Sequence, residues 1–201
     1  MTLRVISGTA RGRHLRAAKE TRPTADLIKG AIFSMLEALA YKRGFEPDDE
    51  TGDFAAALAW PRVLDLFAGS GALGIEALSR GAKSAEFVEQ DRESARVLMS
   101  NLRIAGLDEQ ARVLERPVAL ALRVVRKPVD LVFADPPYTD TDAVAATVDG
   151  LVANGVLLPT SVVVFEQPAE AEPLESIGPL ALASSRKHGR SRISLYASGE
   201  A

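Results

Sequence analysis

The chain has 201 residues, 47% hydrophobic and 25% charged, a balance that suits one large globular unit with a small extension. It contains no cysteine, which excludes disulfides, thiolate metal sites and covalent catalysis through a thiol. The net charge of −3 is uneven: residues 1–29 hold seven Lys/Arg against Glu20 and Asp26, a local +5 that leaves −8 on the remainder. A second basic run, "RKHGRSR" at 186–192, contains no acid. An acidic body with basic segments fits a localised polyanion contact, and fits a solvated basic terminus equally well. There is no positive-apolar-small leader and no long uncharged apolar run, so a soluble, cytoplasmic protein is expected.

In chain order, "LRVISGTARGRHLRA" reads as a short strand, a turn at Gly8 and Gly12, and a basic return, that is, a β-hairpin or an arm. "TRPTADLIKGAIFSMLEALA" follows as a helix, with Thr24 as N-cap and Ile28, Ile32, Met35, Leu36 and Leu39 on one apolar face. Residues 42–61 lack clean periodicity and read as a connection. From Arg62 a regular alternation begins. "RVLDLF", "SAEFVEQ", "ARVLE", "VDLVFA" and "SVVVFEQ" are strands, and helices over 72–81, 92–106, 118–127 and 142–155 separate them. Such an order builds a parallel sheet covered on both faces. "LALASSRKHGRSRISLYA" has no helix and turns at Gly189, so the sheet is expected to end in an antiparallel pair. No repeat is visible.

Two motifs carry chemistry. "DLFAGSGALG" places Gly69, Gly71 and Gly74 in a G-x-G-x-x-G spacing between a strand and a helix, and Glu89 ends the next strand, where a carboxylate can take ribose hydroxyls. The turn alone suits a dinucleotide pyrophosphate or S-adenosylmethionine. Asp65 beside it repels a pyrophosphate and attracts an ammonium or sulfonium.

The second motif, "DPPY" at 135–138, closes the fourth strand of the set and should face the same crevice. An exocyclic amine is a poor nucleophile because its lone pair is delocalised into the ring. Asp135 offers a carboxylate and Pro136 a carbonyl to the two N–H groups of such an amine, and the prolines fix the direction of that carbonyl. Tyr138 can stack on an extruded base. His14 and His188 lie in turn-like basic surroundings, and no spacing of His, Asp and Glu suggests a metal.

These segments together ("RVISG", "RGRHL", "RPTADLIKGAIF", "VLDLFAGSGALGIEALSRGA", "FVEQD" and "DLVFADPPY") resemble the bacterial 16S rRNA guanine-N2 methyltransferase family. The match covers residues 3–40 and 62–138, and is weak beyond. "DPPY" alone marks the wider group of amino methyltransferases; "RGR" and "RPT" narrow it.

The resemblance implies an α/β, Rossmann-like methyltransferase fold with a mostly parallel seven-stranded sheet, an antiparallel C-terminal strand and a small N-terminal hairpin. Residues 1–40 would form a basic RNA-binding extension, 41–61 a connection and 62–201 the methyltransferase domain. It implies S-adenosylmethionine as cofactor, lined by Asp65, Phe67, Gly69, Ser70 and Gly71, with Glu89 on the ribose and Gln90 and Asp91 near the adenine. Asp135, Pro136 and Tyr138 would handle the base, and Arg4, Arg11, Arg13, Arg16 and Arg22 the RNA. The substrate would be one guanine, conventionally position 966, in 16S rRNA or a small-subunit assembly particle. The enzyme is expected to be a monomer without metal or membrane contact.

The chain departs from the family pattern in its longer 42–61 connection, in Pro117 after the third strand, and in the absence of a second threonine and an arginine–glutamate pair after "RPT". Three other readings stay open at this point. One is a methyltransferase acting on another RNA or DNA amino group. Another is a nicotinamide-dependent oxidoreductase, which leaves "DPPY" unexplained. The third is a non-catalytic RNA-binding module.

Overall fold

The computed structural model describes residues 3–17, 26–45, 59–126, 128–136 and 141–198. Two N-terminal strands, β1 (Leu3–Arg4) and β2 (His14–Leu15), pair antiparallel and precede helix α1 (Asp26–Lys42). The main alternation then runs β3 (Arg62–Leu66), α2 (Ala72–Ser79), β4 (Ser84–Glu89), α3 (Arg92–Ala105), β5 (Ala111–Glu115), α4 (Val118–Ala121), β6 (Val129–Ala134), α5 (Thr141–Ala153) and β7 (Leu157–Pro168). It finishes with β8 (Ser176–Ile177), β9 (Leu180–His188) and β10 (Ser191–Ala197).

The large sheet has the order β5-β4-β3-β6-β7-β10-β9-β8, and β5 through β7 are all parallel. β10 runs antiparallel to both of its neighbours, β7 and β9. The antiparallel final strand is therefore interior, and the two-residue β8 adds an eighth strand at the edge of β9.

Strand side chains alternate between two cores. Val63, Phe87, Leu131, Phe133, Val164 and Ile193 pack on the face that carries the N-terminal hairpin, α1, α2 and α3. Leu64, Leu66, Val88, Val132, Phe165 and Tyr196 pack on the opposite face. Burial on both faces is why these strands read as near-continuous apolar runs.

The basic N-terminal segment is part of the first core. Leu3, Val5, Ala10 and Leu15 are buried in it, and Val5 and Gly12 continue the hairpin ladder through Arg13 and Val5 carbonyls. On α1 the expected face is the buried one, with Ile32, Met35 and Leu36 inside and Ile28 and Leu39 against them. The proposed cap, Thr24, lies outside the described residues.

Two local readings differ from the structure. The helix over 118–127 is helical only over Val118–Ala121 and continues as turns. β-Branched Val118, Val124 and Val125 are poor helix formers, Pro117 gives the helix no side-chain cap, and Leu122 and Val125 turn into the core instead. β7 begins four residues before the expected start, at Leu157. The register to β6 shifts there, and Ser161 Oγ bridges the irregularity by accepting from Leu158 N and donating to Val129 O.

Candidate active site

β3 and β6 are neighbours, and their last register pair is Leu66 opposite Ala134. Beyond Leu66 runs Phe67-Ala68-Gly69-Ser70-Gly71; beyond Ala134 runs Asp135-Pro136. The strand order reverses between these two strands, with β4 and β5 on one side and β7 on the other, which is where open α/β sheets form their ligand crevice. The two motifs of the sequence are thus brought side by side by the topology.

The glycine turn is held by its own backbone and three buried side chains. Phe67 is the one non-glycine residue with positive φ among the described residues, at 59°, a conformation that costs about 1–3 kcal/mol and marks a constrained site. Gly71, at φ 81°, opens α2, and a Cβ there would lie 2.2 Å from Leu98 Cδ1. A Cβ on Gly74 would lie 2.3 Å from the Phe87 ring, so this glycine lets α2 close onto β4.

Glu89, at the end of β4, accepts from Gly69 N at 2.7 Å through Oε2 and from Asp91 N at 2.7 Å through Oε1. Asp65 lies beneath the turn, 3% exposed, and its Oδ2 accepts from Gly74 N at 2.9 Å. Burial pushes the Asp65 carboxyl up to about 7; the Gly74 N–H opposes the rise and the Glu89 charge adds to it. Ser70 is buried, and its carbonyl accepts from Asn101 Nδ2 at 2.8 Å.

Gln90 is exposed. Asp91 caps α3 by accepting from Ser94 N at 2.7 Å, and the N–H and hydroxyl of Ser94 hold its carboxyl below the usual range. On the β6 side, Asp135 is half-buried and Pro136 buried. Tyr138 and Arg22 lie outside the described residues. Arg11, Arg13 and Arg16 are exposed on the hairpin, and Arg4 pairs with Asp26 at 3.5 Å.

Sequence reading missed the groups that fix the hairpin to this site. Asn101, fully buried in α3, donates from Nδ2 to Arg16 O at 2.9 Å as well as to Ser70 O, and accepts from Arg16 N at 2.8 Å. Glu76, fully buried in α2, accepts from Ile6 N at 2.8 Å, Ser7 N at 2.9 Å and Arg80 Nε at 2.9 Å, and pairs with buried Lys29 at 3.3 Å. Lys29 also donates to the Arg4 carbonyl. Ser79 Oγ accepts from Ala10 N and donates to Ser7 O. The signal was present as an acid inside the apolar helix "ALGIEALS" and an amide beside Leu98 and Leu102 on the apolar face of α3.

No group of three or more His, Cys, Asp or Glu positioned for a metal occurs among the described residues, and no described helix is long and apolar enough to cross a membrane.

Residues 3–197 match a family model described as Conserved hypothetical protein 95. The chain belongs to this family. YlbH of Bacillus subtilis is 33% identical over 199 residues, 96% of this chain and 98% of that one. Ribosomal RNA small subunit methyltransferase D of Escherichia coli K12 is 32% identical over 170 residues, 84% of this chain and 76% of its own length. The solved structure of yhhF from Escherichia coli matches with a TM-score of 0.80 at 28% identity over the full length of both chains. The family is thus the one that includes ribosomal RNA small-subunit methyltransferases, as the motifs implied. The family fold is the α/β Rossmann-like methyltransferase fold with an antiparallel strand near the C-terminal end.

Proposed function

We propose that this family member transfers a methyl group to the exocyclic N2 of a guanine in 16S rRNA, of the position-966 type, during small-subunit assembly, with S-adenosylmethionine as donor. The observation that carries the reading is the Leu66–Ala134 register, which sets the glycine turn beside Asp135 and Pro136 at one strand edge. Similarity to ribosomal RNA small subunit methyltransferase D supports the substrate class.

The residues fit the cofactor. The turn offers backbone rather than side chains, Glu89 retains acceptor capacity beyond its two N–H bonds, and a buried carboxyl, Asp65, underlies the turn. A pyrophosphate would meet the buried acid Asp65 beneath the turn, which disfavours a nicotinamide dinucleotide. Phe67, Gly69, Ser70 and Gly71 would line the cofactor, Glu89 would take its ribose, and Gln90 would lie toward its adenine. When bound, S-adenosylmethionine supplies an electrophilic methyl on a positively charged sulfur.

The protein's own work is to position and polarise. Asp135 and the Pro136 carbonyl accept the two N–H groups, which localises the amine lone pair away from the ring. Asp135 then stabilises positive charge on the nitrogen and accepts the released proton. Tyr138 would hold the base by stacking, and residues 1–40 would carry the RNA through Arg4, Arg11, Arg13, Arg16 and Arg22.

Transfer of a labelled methyl from S-adenosylmethionine to 16S rRNA, followed by nucleoside analysis, tests the reading. Label in N2-methylguanosine is expected; label in any other nucleoside, or none in naked RNA and assembly particles alike, overturns it.

A further inference from the structure

We infer that the β9–β10 turn is a second phosphate-binding element for the RNA, facing the Arg16 end of the N-terminal hairpin across the crevice. The inference rests on the proposed RNA substrate and adds a surface that the proposal does not use.

The sheet itself places this turn. β7 runs parallel to β6, with Ala134 opposite Phe165, and continues three residues further to Pro168. At a rise of about 3.3 Å per residue, this corner stands roughly 10 Å above the end of β6. Ser191, the first residue of β10, pairs with Pro168, and His188 pairs with Ser191. The turn at Gly189 and Arg190 therefore sits on the raised corner, on the same edge as Asp135. It lies two to three strands across, roughly 10–15 Å.

The corner is basic and rigid. Arg186, Lys187 and Arg190 are exposed, and none of them forms an ion pair among the described residues. The turn is tied down by Ala169 N donating to Arg190 O at 3.0 Å. Buried Arg192 adds donations to Ala169 O at 3.2 Å and to Ser185 Oγ at 3.3 Å. Exposed Glu170 and Glu172 on the following loop lower the local potential without pairing to these cations.

On the other side of the crevice, Arg16 is joined through Asn101 to Ser70 of the glycine turn, so this end of the N-terminal hairpin flanks the cofactor side, while the hairpin tip is bonded to Ser79 at the far end of α2. A base brought to Asp135 must leave its stack, and cations on both sides of it can hold the flanking phosphates while that happens. The occupant is thus a single-stranded or opened stretch of RNA, gripped on either side of the target nucleotide.

The test is salt-dependent binding of a 16S rRNA transcript to the full chain and to the triple variant Arg186→Ala, Lys187→Ala and Arg190→Ala. Each lost single-strand phosphate contact lowers the slope of log K against log salt by about 0.7, and weakens binding roughly five-fold at 0.1 M salt. Neighbouring Arg186 and Lys187 leave β9 on opposite faces, so one of them joins Arg190 on a single strand, and the triple variant should lose about 1.4 from the slope while its affinity for S-adenosylmethionine and its melting temperature are unchanged. A slope equal to wild type overturns the inference and leaves the proposed function standing. Failure of the wild-type chain to bind the transcript strikes the proposed function instead.

Discussion

Asp65→Asn separates the electrostatic cost of the buried carboxyl from its structural role. The unfolded chain releases this proton near the ordinary value of 3.8, and the folded chain near about 7. The native state therefore binds a proton that the unfolded state has lost. The group's contribution to stability is fully present below 3.8, is lost as pH rises, and levels off above about 7. At roughly 1.4 kcal/mol per pH unit, that interval is worth on the order of 4 kcal/mol. Asparagine keeps an oxygen for the Gly74 N–H and does not titrate.

Urea unfolding, followed through the single and buried Trp60, gives the stability of both proteins at pH 5 and pH 8. The advantage of the variant should grow by about 3 kcal/mol between those values, because most of the loss in the wild type falls in that window. Taking the difference between two proteins cancels the carboxylates that do not interact with Asp65. A variant advantage that is the same at both pH values would refute the reasoning.

Three other perturbations give distinct outcomes. In the wild type, affinity for the sulfonium cofactor should rise with pH through about 7 as Asp65 ionises, and Asp65→Asn should show a flatter profile by calorimetry. Asp135→Ala should abolish methylation with cofactor affinity near wild type, since the residue is assigned to the base; a matching loss of cofactor affinity would move it to the other ligand. Glu76→Ala takes from buried Lys29 its nearer carboxylate, leaving it Asp26 at 3.8 Å, and strips acceptors from Ile6, Ser7 and Arg80, so denaturant melts should show a loss of about 3–5 kcal/mol.

The parallel core of the fold was readable because each strand is a short apolar run bounded by helix signals, and because glycines 69, 71 and 74 fall where a strand must turn into a helix. That the glycine turn and Asp135-Pro136 share one edge was readable for the same reason: both follow strand ends, and strand ends are visible in sequence. What was not readable were the long-range polar bonds. Glu76 meets the hairpin backbone 69 and 70 residues away, and Asn101 meets Arg16 across 85, so no local pattern links them. The basic N-terminal segment read as a hairpin or an arm, and it is the hairpin, but its arginines dominate the count and hid how deeply it is packed. Its alternate residues, Leu3, Val5 and Leu15, are core. An RNA-binding test by deletion of that segment would therefore confound folding with contact, and Arg11→Ala with Arg13→Ala is the cleaner perturbation.

The order of the last two long strands has a consequence for synthesis. β9 leaves the ribosome before β10, yet only β10 joins it to the rest of the sheet. Until Ser191–Ala197 is available, β7 and β9 each present an open edge, and Leu195 and Tyr196 are not there to seal the two faces. Assembly of this side therefore waits on β10: a chain synthesised only as far as the Gly189 turn holds two sticky ribbons, and the interval before β10 emerges is when chaperone protection matters most.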